Sequence, residues 1–131
     1  MLLFWKLRGG SLVEKVLIAF LIGGLICLFG QLLMDLTPVS ISPAHILVGF
    51  VTGGSILSAL GIYGPLVEVA GAGATVPLSG FGHALAQGSI AAVEKQGLLG
   101  AFAGGLEATA VGIAAAVIFG YTMAVIFDPK G

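Results

Sequence analysis

Apolar positions in this chain come in long unbroken blocks, without the strict alternation of a half-buried strand. The first block, 16–34, holds no charged residue and is about the length that crosses a ~30 Å hydrocarbon core at ~1.5 Å per residue. It predicts a transmembrane helix over about 12–34. A cleavable signal sequence is the competing reading, but the run is longer than the usual ~7–15-residue core of such a signal and no Ala-x-Ala site follows it. A turn-rich link follows with Pro38, Pro43, Thr37, Ser40 and Ser42, and Ser42-Pro43 is a natural helix start. The second span is expected over about 44–60, ending at Gly61-Ile62-Tyr63-Gly64-Pro65, with Tyr63 placed at the membrane interface. The last block, about 98–127, is long enough to cross with tilt and overhang, and its only charge is Glu107.

Between these blocks the pattern changes. Residues 65–96 contain Glu68, then Ala70-Gly71-Ala72-Gly73-Ala74-Thr75-Val76-Pro77, then Leu78-Ser79-Gly80-Phe81-Gly82-His83. Gly71, Gly73 and Pro77 all disfavour a continuous helix. Freed backbone groups survive at membrane depth only where protein or water covers them, because lipid satisfies neither N–H nor C=O. The segment therefore reads as a third span over about 66–93, broken at 71–79. It either crosses or re-enters, and its length favours crossing. The expectation is an all-α polytopic membrane protein with about four transmembrane segments, one of them broken or re-entrant, forming a single helical domain over 1–131.

Composition agrees with this pattern and removes other classes. Hydrophobic residues make up 58% of the 131 and charged residues 8%, far below the ~25% charged of an ordinary soluble domain. A formal net charge of −1 with only five basic residues excludes a nucleic-acid-binding character, which needs clustered Lys and Arg. Lys6, Arg8 and Lys15 precede the first span and put the N-terminus in the cytoplasm. Lys95 and Lys130 do not separate the crossing from the re-entrant topology. Cys27, the only cysteine, lies inside the first block and packs as a small hydrophobe. With two separated histidines and one cysteine, no metal-ligand spacing is present. Paired glycines after a phenylalanine, at Phe20 to Gly24, Phe50 to Gly54 and Phe102 to Gly105, read as close helix packing.

Few residues carry chemistry. Glu107 falls ~13 Å into its helix, close to the bilayer midplane, where a charge costs roughly 2.5–3.5 kcal/mol and normally faces a bundle interior or an aqueous path. The alternative is a Glu107 that only hydrogen-bonds a neighbouring helix. The break is the other candidate, since interrupted helices offer N–H donors and bare carbonyls to a substrate. Gly71, Gly73 and Pro77 would form it, and Thr75 and Ser79 would add hydroxyls. Glu68 lies near a membrane boundary and is equally suited to helix-dipole stabilisation. His83 follows Ser79 by four residues, so the two can share a helix face and a hydrogen bond. No orienting acid or oxyanion hole accompanies them, so a hydrolase is not indicated and no covalent catalysis is expected. His45 reads as interfacial, and Gln31 and Asp35 are spaced for an i, i+4 contact.

Several of these stretches together resemble the stage V sporulation AC/AE membrane protein family. The resemblance rests on Gly23-Gly24-Leu25-Ile26-Cys27 with Gly30-Gln31-Leu32-Leu33-Met34-Asp35, on Thr37-Pro38 with Pro43-Ala44-His45, on the Ala70 to Pro77 stretch, and on Phe127-Asp128-Pro129-Lys130-Gly131. It implies a subunit of a channel or transporter that moves dipicolinic acid, largely as its calcium chelate, across the inner spore membrane of the forespore during sporulation and germination. The implied partners are sister stage V sporulation membrane subunits and a soluble dipicolinate-binding subunit, in a hetero-oligomer embedded in the lipid bilayer. No cofactor is implied. The neutral chelate suits a site with both donors and acceptors, and Glu107 would meet its calcium. Two other readings remain: a proton-translocating proteolipid-like ring subunit, suggested by Glu107 among Ala, Gly and Thr, and a non-conducting membrane scaffold.

Overall fold

The computed structural model describes residues 11–38 and 41–128. Lys6, Arg8 and Lys130, with the closing Pro129-Lys130-Gly131 and the link residues Val39 and Ser40, lie outside the described residues. Among the described residues every regular element is an α-helix: α1 (Leu12–Leu36), α2 (Pro43–Ala59), α3 (Tyr63–Ala70), α4 (Ala72–Thr75), α5 (Leu78–Gln96) and α6 (Leu98–Phe127).

The boundaries follow from local chemistry. Ser11 caps α1, its hydroxyl accepting from the Glu14 N–H at 3.4 Å. The helix ends as Thr37 turns extended ahead of Pro38, with the Thr37 hydroxyl donating back to the Leu33 carbonyl. Gln31 Nε2 donates to Asp35 Oδ1 at 3.0 Å, the contact their spacing suggests. Pro43 opens α2, and Gly61 at φ +76° closes the turn after it. Helix α3 then leaves α2 at 105°. It stops at Gly71, whose φ of +52° and ψ of −121° are rarely open to a residue with a Cβ. One turn of α4 and the Val76-Pro77 step follow before α5 begins. The break is therefore real and begins at Gly71.

Among the described residues, α1 and α6 qualify as membrane spans by length and apolarity, and α2 with α3 adds a third only if the bent pair counts as one. That is two or three candidate spans against the four expected. The difference lies in α5, where Ser79, His83, Gln87, Ser89, Glu94 and Lys95 dilute the apolar residues.

The chain forms two compact units, Met1–Ala86 and Gln87–Gly131. In the first, α1 packs on α3 and α4, and α2 on α1 and α3. Helices approach to backbone contact: a Cβ on Gly54 would run into the Ser79 backbone, one on Gly82 into the Val51 carbonyl, and one on Gly73 into Ala19. The buried apolar core is small, Tyr63, Ala70 and Ala74 with Ile22, Leu66 and Val67 packed against it. In the second unit the end of α5 turns at Gly97 (φ +65°) and runs back as α6, with Gly88 and Ala92 seated on Gly104 and Gly100. Large side chains such as Leu12, Phe20, Val111 and Phe119 are exposed, as a bilayer-facing surface requires. Cys27 is among the exposed residues of α1, so it does not pack inside the unit.

Candidate functional site

Polar side chains in the first unit converge where the helix is interrupted. The right-angle departure of α3 carries Tyr63 inward, and Gly71 turns α4 back so that the Ala74 carbonyl faces it. Tyr63, only 2% exposed, donates its hydroxyl proton to that carbonyl at 2.8 Å. The same oxygen lies 2.7 Å from Ser79 Oγ. A phenol has one proton, so Ser79 is the donor in this second bond. The Tyr63 ring stacks on His83, with centroids 5.1 Å apart and planes 29° apart. His83 Nδ1 pairs with Ser58 Oγ at 2.8 Å, and Ser55 Oγ donates to the Gly82 carbonyl at 2.8 Å. No buried side-chain polar atom among the described residues is left without a partner. Within the interruption Gly73, Ala74 and Ser79 are buried, whereas Gly71, Ala72, Thr75 and Val76 are exposed.

Tyr63 is buried at the break, because the bend between α2 and α3 turns it towards Ala74, and the arrangement there revises one expectation. The hydrogen bond expected between Ser79 and His83 is replaced: Ser79 pairs with Tyr63 and His83 with Ser58. The residues overlooked are Tyr63, Ser58 and Ser55. A signal for the serines existed, since Ser55 and Ser58 sit within one turn of Gly54 in an otherwise apolar helix, and polar residues in such helices face the interior.

The remaining candidates divide between locations. Gly73 is buried against α1 and Pro77 is half-buried. Gly71 and Thr75 are exposed, the Thr75 hydroxyl donating to the Gly71 carbonyl at 3.2 Å. Glu68 is exposed on α3. His45 is exposed at the start of α2, its Nδ1 2.7 Å from Ser42 Oγ. Glu107 belongs to the second unit and is exposed there, in a cleft of about 440 Å³ lined also by Lys95, Gln96, Gly88 and Ala91. A larger cleft of about 580 Å³ lies in the first unit between α1, α2 and α3, reaching from His45 to Tyr63 and Ser79. No group of three or more potential metal ligands occurs among the described residues.

A family profile described as SpoVAC/SpoVAEB sporulation membrane protein matches residues 15–126. No curated protein and no solved structure matches the chain.

Proposed function

Because the chain belongs to the SpoVAC/SpoVAEB sporulation membrane protein family, we propose that it is a membrane subunit of a channel or transporter for dipicolinic acid. The cargo in this reading is chiefly the calcium chelate, carried across the inner spore membrane in sporulation and again in germination, without covalent chemistry. The observation that carries the reading is the interruption from Gly71 to Ser79, beside which the Tyr63, Ser79, Ser58 and His83 side chains form a polar patch inside an apolar helical unit. An uninterrupted helix would serve better if the unit only filled space in the membrane. Rearranging these bonds would offer hydroxyls, an imidazole and the Ala74 carbonyl to a passing chelate, while Glu107 would supply an anionic oxygen to its calcium.

The finer topology belongs to the same proposal. Helix α5 makes a fourth crossing, its polar residues shielded by sister membrane subunits, and Lys6, Arg8 and Lys15 hold the N-terminus in the cytoplasm. A soluble dipicolinate-binding subunit delivers or receives the cargo. The exposure of Glu107 on a tight α5–α6 hairpin favours one second reading, a proton-carrying ring subunit. Carbodiimide labelling of Glu107 together with a large homomeric ring would support that reading over the first.

The test is dipicolinate flux, with and without calcium, through proteoliposomes holding this protein alone and then with its sister subunits. The transport reading expects calcium-dependent flux in the assembled system and its loss in Glu107→Gln with assembly intact. Absence of flux in every combination, despite verified folding and assembly, refutes it in favour of a scaffold.

A further inference from the structure

The cleft between α1, α2 and α3 is shaped for a ligand of one kind. Its walls are apolar, built from Ile26, Phe29, Phe50, Leu57 and Leu66 among others, and its polar groups sit only at its two ends. At the deep end the Tyr63 and Ser79 hydroxyls are already bonded to each other and to Ala74. They offer nothing unpaired, so that end suits a hydrocarbon terminus. At the other end His45 is exposed at the first turn of α2, with Nδ1 tied to Ser42 Oγ and Nε2 left for an anionic oxygen. Pro43 carries no N–H and the His45 N–H is bonded to the Ser42 carbonyl at 3.0 Å, so the imidazole is the donor at this end.

Length and volume narrow the occupant further. From His45 to Leu57 the wall runs ~18 Å along α2 at ~1.5 Å per residue, close to half of a ~30 Å hydrocarbon core. Along that distance the cleft holds about 580 Å³, which matches a single slender chain lying in it. We propose that this cleft binds one acyl chain of a membrane phospholipid, with the headgroup phosphate at His45 and the chain end at Tyr63.

The cleft can be filled without disturbing its walls. Gly49 and Gly53 line it, and a Cβ at either meets nothing within 4 Å. Gly53→Leu therefore projects into the space the lipid would take, while Gly24→Leu, also open but outside the cleft, is the control. The experiment is photolabelling of the full chain in vesicles of phosphatidylglycerol bearing a diazirine near the end of one acyl chain, with the labelled residues mapped by mass spectrometry. A parallel arm uses diazirine palmitate. The proposal expects phosphatidylglycerol label to concentrate on Leu57, Tyr63 and Leu66, to fall several-fold in Gly53→Leu, and to persist in Gly24→Leu and in the presence of the sister subunits. Label spread over α1 and α6 in proportion to exposure would overturn it. So would full labelling of the cleft in a folded Gly53→Leu, labelling by palmitate alone, or loss of the label when sister subunits assemble, which would assign the cleft to a partner. Should Gly53→Leu not fold, the wild-type map and the sister-subunit arm decide.

Discussion

Replacing Tyr63 by Phe removes a single oxygen, and the structure says what that oxygen does. It is buried, it donates to the Ala74 carbonyl at 2.8 Å, and it accepts from Ser79 at 2.7 Å. After the substitution the Ala74 carbonyl loses the Tyr63 donor and the Ser79 hydroxyl loses its acceptor. A buried unsatisfied acceptor costs about 1–3 kcal/mol, whereas hydrogen bonds between membrane helices average only ~0.6 kcal/mol when measured by double-mutant cycles. We expect Tyr63→Phe to destabilise the first unit by about 1–2 kcal/mol, a factor of about 5–30 in its folding equilibrium. Unfolding in mixed micelles with increasing dodecyl sulfate, followed by circular dichroism, measures this. A cycle with Ser79→Ala should return a coupling of about 0.5–1.5 kcal/mol. The ring remains in Phe, so packing against His83 is retained and the loss reports the hydroxyl alone. Stability unchanged within ~0.3 kcal/mol, with no coupling to Ser79, would refute the account of the break as a hydrogen-bonded closure.

Two further substitutions test the backbone contacts. Gly54→Ala places a methyl against the Ser79 backbone and should destabilise by about 1–3 kcal/mol, the usual range for overpacking. Its neighbour Gly53→Ala meets open space and should be neutral or stabilising by up to ~1 kcal/mol through helix propensity, in the same unfolding assay. Gly71→Ala must hold a positive φ at the break and is expected to lower stability by about 1–2 kcal/mol, whereas Gly64→Ala, with no neighbour near its Cβ and no positive φ, should not.

Much of the helical layout was legible because proline, glycine and serine punctuate it. Ser42-Pro43 opens α2, Gly61 closes it, and Gly71 and Pro77 bracket the single turn of α4. The number of spans was not legible in the same way. Charge-free length identifies α1 and α6, but α5 begins with small residues that close-pack against α2 and ends in Glu94, Lys95 and Gln96, so its apolar character is too thin for hydropathy to assign. The polar patch was half visible. Ser79 and His83 stood out on one helix, but their partners come from α2 and α3, and a contact set by the 105° turn between those helices has no signature in sequence spacing. Tyr63 illustrates the limit: beside Gly-Pro and after a long apolar run it has the context of an interfacial aromatic, and only the direction of α3 buries it.

Glu107 sets a requirement that the second unit does not meet by itself. It stands ~13 Å into α6, and its surroundings in that unit are small residues of the α5–α6 contact with Lys95 and Gln96 at the cleft's edge. Glycine and alanine let the helices touch but leave the carboxylate exposed. Against lipid, such a group costs roughly 2.5–3.5 kcal/mol, comparable with the whole overpacking penalty at Gly54 and larger than the loss expected from Tyr63→Phe. The exposed leucines, valines and phenylalanines of α6 tolerate lipid on the other faces. A bilayer-embedded α6 is therefore stable only when rotated so that the Glu107 side meets water or another protein surface. The polar patch of the first unit is closed by its own chain, whereas Glu107 is exposed, so the surroundings of the Glu107 side of α6 decide what that helix costs in a bilayer.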